Sequence, residues 1–388
     1  MQKVKINIGF DAKRIVSNSS GLGSYGRTLI NALSKNNMND KYSFLLFAPD
    51  SGKENLRNQI IKDKNIEFVY SDYKIKILRD YWRENLIVKD LLRKNIKIYH
   101  GLSNQLPANI KQSGIKSIVT IHDLIFLTHP EFYPLIDRKI YKRKFYQTIK
   151  EADVIIAISE CTKRDIIKFG NATEQKIKVV YQSCANTFKE NISSEIKESV
   201  RKKYSLPERF ILNVGTIEKR KNVLLAVKSL NFLSDDLHIV IVGKKTKYAN
   251  DIEKYAKENN ITHRVHMLSG VSNEDLAAIY NLAQIFVYPS IYEGFGIPII
   301  EAMQNKLPVI ACKGSCLEEA GGENSLYVEP NDVEGMTKAI KTFLDNEETR
   351  IKSINEGLNY IKRFENNNIA SNYFSIYENL LNNYQFIY

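Results

Sequence analysis

The chain has 388 residues, 43% hydrophobic and 26% charged, which is enough for two domains that each bury a core and excludes a disordered protein. Its net charge of +12 is unevenly spread: residues 1–190 hold 33 Lys and Arg against 19 Asp and Glu, while residues 191–388 hold 23 against 25. The basic first half is therefore expected to meet something anionic, with nucleic acid and a membrane surface both candidates.

Taken in order, the opening MQKVKINIGF alternates as a strand does, with Val4, Ile6, Ile8 and Phe10 on one face, and does not read as a secretory signal. A polar connection, 11–20, leads to GLGSYG at 21–26, literally G-x-G-x-x-G. The dinucleotide reading fails there, because about ten residues separate strand and first glycine, where the fingerprint puts the glycine at the strand end. Strands are expected at 42–48 and 66–70, an amphipathic helix at 81–95, and a strand at 117–121 that sets His122 and Asp123 at its carboxyl end, where open α/β sheets bind ligands. Residues 137–150, DRKIYKRKFYQTIK, form a basic helix with Ile140, Tyr141, Phe145 and Tyr146 interleaved. Strands at 154–159 and 178–181 follow, with Ser159 as the cap of a helix, and the polar stretch 189–204 reads as a linker.

A second βα series begins at 210–214 and reaches Gly215, Thr216 and then EKRKN, where Arg220 and Lys221 precede a helix at 223–230. Two cations beside a helix N-terminus suit a diphosphate. Further strands are expected at 237–242, ending at Gly243, and at 265–267; Ser272 with Asp275 has the capping-box pattern. The most informative stretch is 284–308, QIFVYPSIYEGFGIPIIEAMQNKLP. A buried strand ends at Pro289, Gly294 and Gly296 let backbone approach a ligand, and Pro298 suits the first turn of a helix. Amides at that helix start favour an anion, while Glu293 and Glu301 are better suited to hydroxyls. Phosphate amides beside carboxylates for sugar or ribose make a nucleotide-sugar site. A last strand is expected at 308–311 and helices close the chain.

That stretch resembles the E-x7-E motif of the retaining glycosyltransferases of family 4, which have the GT-B architecture, with Glu293 and Glu301 at the matching spacing within YPSIYEGFGIPIIEAM. IGFDAKRIVSNSSGLGSYGRTLINAL resembles the same family's first motif, VTIHDLIFLTHPEFYP its histidine segment, and GTIEKRKN its basic phrase; the likeness covers nearly the whole chain. It implies two Rossmann-like parallel-sheet domains facing each other across a cleft. Residues 1–190 would bind acceptor, joined by a crossover helix at 366–388, and 191–365 would bind the nucleotide-sugar donor. It implies that the loop of Gly21 and Gly23 lines the cleft near the donor diphosphate and the acceptor, that His122 faces the donor sugar, and that Arg220 and Lys221 contact the phosphates. Glu293 would hold donor-sugar hydroxyls and Glu301 the ribose, with Gly215, Thr216, Gly243, Gly294, Phe295, Gly296 and Ile297 completing the donor site. The sequence departs from the family at Thr216, where relatives carry arginine, and at Cys184 and Lys306, where they carry glycine.

The expected activity is retaining transfer of a hexose, mannose from GDP-mannose by the TIHDL and GTIEKRKN phrases, to a glycan or lipid-linked acceptor in cell-envelope polysaccharide synthesis. No D-x-D metal motif is present, so Arg220, Lys221 and the amides of 294–297 would stabilise the leaving diphosphate without a metal or other cofactor. The alternatives are another nucleotide-sugar enzyme on this fold, such as an epimerase, and a nucleic-acid binder. The latter lacks a binding motif and leaves the carboxylate–glycine corner unexplained, so no nucleic-acid partner is expected. Cys312 and Cys316 lack a second ligand pair for zinc, four cysteines make no disulfide framework, and no apolar run spans a bilayer, so a cytoplasmic protein is expected. On the basic helix, Arg138, Lys139, Lys142, Arg143 and Lys144 are expected to rest on anionic headgroups or meet acceptor, holding the enzyme peripherally at the membrane.

Overall fold

Strands that are apolar almost end to end, such as Tyr42–Ala48 and Val154–Ala157, need cover on both faces, and that is what parallel sheets with crossover helices provide. The computed structural model of the chain describes residues 5–19 and 21–382, so Val4, Ser20 and the last part of the expected crossover segment lie outside the described residues. It divides into two compact units, the first running to Ser183 and resuming at Phe364, the second comprising Cys184–Arg363.

The first unit holds seven parallel strands: β1 (Ile6–Asp11), β2 (Tyr42–Ala48), β3 (Ile66–Tyr70), β4 (Ile96–Gly101), β5 (Lys116–Ile121), β6 (Val154–Ala157) and β7 (Ile177–Val179). Their order is β3-β2-β1-β4-β5-β6-β7, so the chain reverses direction across the sheet between β1 and β4. One face is covered by helix Leu22–Lys35 and the C-terminal helix Asn366–Asn382, whose Tyr373, Phe374 and Tyr377 are fully buried with Ile8, Phe10 and Phe44. The other face packs on Trp82, Leu91, Ile110 and Phe145. The second unit has six parallel strands: β8 (Phe210–Val214), β9 (His238–Val242), β10 (Val265–Leu268), β11 (Ile285–Tyr288), β12 (Val309–Cys312) and β13 (Leu326–Val328). Here the order is β10-β9-β8-β11-β12-β13, with the reversal between β8 and β11.

Two expectations need correction. The polar stretch 189–204 is not a linker: Ser193 caps a helix, Ser194–Tyr204, that belongs to the second unit. Val200 is buried, and Lys203 Nζ and Tyr204 Oη both donate to Asp275 at 2.7 Å. That use of Asp275 leaves only half of the expected capping box, the Ser272 Oγ bond from Asp275 N at 3.1 Å. The unit boundary likewise falls after Ser183 rather than after 190, because Phe188 is already core of the second unit, edge-on to Tyr280 at 5.8 Å. At the two turns where relatives have glycine the outcomes differ. Cys184 is not among the residues with positive φ, whereas Lys306 takes φ 60° and its amide bonds the Met303 carbonyl at 3.0 Å, closing helix Ile297–Gln304 as a glycine would.

Candidate functional site

The reversal between β8 and β11 opens a crevice at their carboxyl ends, and the loops leaving both strands meet there. After β8, Gly215 adopts φ 149° and a short turn, Lys219–Lys221, presents the two cations. After β11, Pro289 ends the strand, and the Ile291 amide donates to the Arg220 carbonyl at 2.9 Å, fastening one loop to the other. Glu293 is thereby brought to both cations: its Oε1 lies 2.5 Å from Lys221 Nζ and 2.9 Å from Arg220 Nη1. Arg220 also donates to the Tyr292 carbonyl at 2.6 Å and to Glu218 at 2.7 Å. Lys221 donates to Tyr288 Oη at 2.8 Å and sits 5.0 Å over that ring. Burial alone would raise the Glu293 carboxyl, but the Lys221 and Arg220 charges bring it down to about 2, and its charge raises both cations in return. The pair foreseen as an open diphosphate clamp is thus already occupied by the carboxylate foreseen on the sugar.

Glu301, one turn into helix Ile297–Gln304, sits in the opposite environment. It is half-buried, accepts one hydrogen bond from Tyr280 Oη at 3.0 Å, and burial pushes its carboxyl up to about 7 against that bond. Several expected ligand glycines have packing reasons. A Cβ on Gly243 would stand 1.8 Å from the Gly215 carbonyl oxygen, and one on Gly296 2.8 Å from Ala320 Cβ, so both permit close approach of backbone. The Phe295 side chain is buried and its carbonyl accepts from Cys316 Sγ at 2.6 Å; Thr216 and Ile297 are half-buried.

In the first unit, His122 follows β5 as expected, but both ring nitrogens are engaged. Nε2 donates to the Leu102 carbonyl at 2.8 Å, Nδ1 accepts from Gln182 Nε2 at 3.1 Å, and the ring lies edge-on to Tyr25 at 4.7 Å. Burial lowers its pKa to about 4 despite the bond to Leu102, so the imidazole is neutral. Gly21 caps helix Leu22–Lys35 with φ 51°, and a Cβ on Gly23 would meet the Asn18 carbonyl oxygen at 1.9 Å, so the glycine loop lets this helix start hard against the preceding chain.

Sequence reasoning missed what stands at this unit's own reversal point. Asp11, the last residue of β1, is buried and receives Arg83 Nη2 at 2.5 Å, Arg83 Nε at 3.0 Å and Ser103 Oγ at 3.0 Å. Burial raises the Asp11 carboxyl, yet Arg83 holds it below its usual value. Beside this pair lies a cavity of about 300 Å³ lined by Lys13, Arg83, Asn104, Asp123, Tyr133 and Tyr141 among others. The one available signal was an acid at the end of an apolar strand. Of the five basic-helix cations, Lys144 differs from expectation: it points to this cavity and is bound to Glu84 at 2.5 Å, so it is not an open surface charge. Among the described residues, no group of three or more His, Cys, Asp or Glu is placed to hold a metal ion, and no helix is long and apolar enough to cross a membrane.

Two doubly wound units, the second with cations and carboxylates gathered at its reversal point, are the parts of a GT-B glycosyltransferase. Comparison with known proteins gives the family. The model for glycosyl transferases group 1 matches residues 196–359, and that for glycosyltransferase family 4 matches residues 19–183. An O-antigen chain mannosyltransferase of Escherichia coli is 27% identical over 289 residues, 72% of this chain and 74% of that protein. One of Salmonella typhimurium is 30% identical over 253 residues, 65% of this chain and 66% of that protein. A solved glycosyltransferase from Rickettsia africae shares the fold over 97% of this chain and 99% of its own, with a TM-score of 0.76 at 20% identity. The chain belongs to the family-4 glycosyltransferases.

Proposed function

We propose that this chain transfers mannose from GDP-mannose, with retention and without a metal ion, to a glycan or lipid-linked glycan acceptor in cell-envelope polysaccharide synthesis. The observation that carries the reading is the Arg220–Lys221–Glu293 cluster with Glu301 nearby in sequence on the next helix, all at the ligand edge of the second sheet. Two relatives named as O-antigen chain mannosyltransferases support the sugar and the setting.

In this reading the donor diphosphate takes the place of Glu293 on Arg220 and Lys221, aided by the amides of residues 294–297. The displaced carboxylate turns to the sugar hydroxyls, and Glu301 in its ionised form accepts from the ribose. As the bond from the anomeric carbon to the diphosphate breaks, the acceptor oxygen bonds that carbon and its proton passes to the diphosphate. Cations fixed before the reaction stabilise the charge that grows there, which is the role a divalent ion plays elsewhere. His122 moves no proton in this scheme, since it is neutral with both nitrogens engaged; it shapes the edge of the first sheet. The acceptor binds the first unit in the cavity beside Asp11 and Arg83, and Arg138, Lys139, Lys142 and Arg143 draw the enzyme to the anionic cytoplasmic face of the membrane.

A panel of nucleotide sugars, scored by protection against thermal unfolding and then by transfer in strong chelator, tests this. GDP-mannose should protect most, by RT ln(1 + [L]/Kd). Loss of transfer in chelator with recovery on magnesium or manganese contradicts the metal-free scheme.

A further inference from the structure

In the second sheet β11 lies between β8 and β12, so the loop that leaves β11 with Glu293 has a neighbour on each side at the ligand edge. On the β8 side, the Arg220 guanidinium holds the Tyr292 carbonyl, and the Arg220 carbonyl accepts from the Ile291 amide. On the β12 side stands Cys316. It is fully buried at the start of helix Leu317–Gly321, where its carbonyl accepts from the Ala320 amide at 3.1 Å. This helix packs against the loop: a Cβ on Gly296 would stand 2.8 Å from Ala320 Cβ and 3.5 Å from Leu317 Cδ2. The Cys316 thiol turns back into the loop, and its Sγ lies 3.1 Å from the Glu293 carbonyl oxygen and 2.6 Å from that of Phe295. One S–H thus serves the carbonyls on either side of Gly294.

Those contacts fix more than two oxygens. No peptide among the described residues is cis, and in a planar trans peptide the C=O and the next N–H point to opposite sides. With the Glu293 and Phe295 carbonyls drawn toward Cys316, the N–H groups of Gly294 and Gly296 are turned away from β12, toward the side where Arg220 and Lys221 stand. Neither glycine has a side chain to stand in front of its amide.

We infer that Cys316 is a positioning residue for the transfer reaction. Its thiol aims the Gly294 and Gly296 amides at the leaving diphosphate, and it holds the Glu293 backbone still while the carboxylate turns from the cations to the sugar. The inference rests on the donor reading proposed above, which sets the diphosphate against these amides. Donors fixed in advance matter most where charge grows, because nothing has to reorganise at the moment of reaction. The diphosphate gains charge as its bond to the anomeric carbon breaks, so amides set askew lose more in the transition state than in the bound donor. A thiol is a weak donor, so Cys316 contributes direction more than stability.

Cys316→Ala removes the donor, and Cys316→Ser keeps one on the same Cβ. In steady-state transfer from GDP-mannose, Cys316→Ala should lower kcat about tenfold or more while raising the donor KM no more than about threefold. Cys316→Ser should recover most of the lost kcat. Chemical denaturation of all three proteins, with rates measured where each is fully folded, keeps lost stability from passing for lost aim. The S–H stretch in the infrared gives an independent signature. The band that disappears in Cys316→Ser should lie below that of a thiol without an acceptor, and GDP should lower it further, since a phosphate on a peptide N–H strengthens its carbonyl as an acceptor. A Cys316→Ala enzyme within about twofold of the native kcat, whatever its stability, overturns the inference and leaves the donor site as read. So does a Cys316→Ser enzyme no faster than Cys316→Ala. Native enzyme that neither binds GDP nor transfers mannose contradicts the donor reading itself, and this inference falls with it.

Discussion

Glu293 and Glu301 are eight positions apart and chemically opposite. One is an ionised counter-ion to two cations at about 2, the other a half-buried acid at about 7 with a single tyrosine partner. In the proposed role the ionised Glu301 accepts ribose hydroxyls with both oxygens and the protonated acid with fewer, so donor affinity should fall as pH drops below about 7. Titration of the donor by calorimetry checks this; Glu301→Gln should bind weakly at every pH, and a flat profile in the native enzyme contradicts the assignment. For Glu293, glutamine leaves Arg220 and Lys221 without their shared counter-ion, so GDP should bind as well or better while turnover drops. Stability in the unliganded state should fall too, by about 1–3 kcal/mol, less than for a fully buried pair because these side chains are 12–15% exposed. Full turnover in Glu293→Gln sinks its role at the sugar. That these residues lie at one edge of the second sheet was legible because each follows the end of an apolar strand in the sequence. Their coupling was not, since it depends on β8 and β11 being neighbours, a pairing 70-odd residues apart in the chain. Asp11 and Arg83 were missed for the same reason.

Strand positions were readable because both sheets are buried on two sides and their strands are short apolar runs ended by glycine, proline or a polar residue. The stretch 189–204 misled because most of its charges face outward from a helix that buries Val200 and bonds Asp275. The C-terminal helix was placed on the first domain by family likeness, but its means of attachment left no pattern. Tyr25 Oη bonds Tyr373 Oη at 2.6 Å and Thr120 Oγ1 at 3.0 Å, while His100 bridges Thr120 at 2.9 Å and Tyr377 at 3.0 Å. These polar atoms are buried and bonded to one another within the core, so losing one costs its neighbour a partner. Tyr373→Phe should therefore destabilise the first unit by about 1–3 kcal/mol, read by chemical denaturation. A loss within error means that the helix is held by its apolar face alone.

Between about pH 7 and 4 the response to acid draws on His100, His122 and Glu301, and on His238 and His266, which burial also lowers. Burial, and then the charge of His122, lowers His100 to about 3, and burial lowers His122 to about 4, against an ordinary 6.5. Unfolded, both take up protons as pH falls through 6.5 and folded they do not, so stability should fall from about pH 6.5 toward 4. Glu301 opposes this. Its folded pKa is raised, so its contribution is fully present below about 4.5 and is lost as pH rises through about 7. Denaturation between those limits should show a shallow slope in the native enzyme and a steeper one in Glu301→Gln; equal slopes would deny the raised carboxyl. The charge split, with the excess in residues 1–190, belongs to the same scale. It fits the proposal that the first unit meets membrane and acceptor. Retaining transfer by groups of the chain alone is tested most directly by NMR of the product formed from GDP-mannose and a glycan acceptor in excess chelator. An α-linked mannosyl product, the configuration of the donor, is the predicted result; a β-linked product, or no transfer until metal is restored, contradicts it.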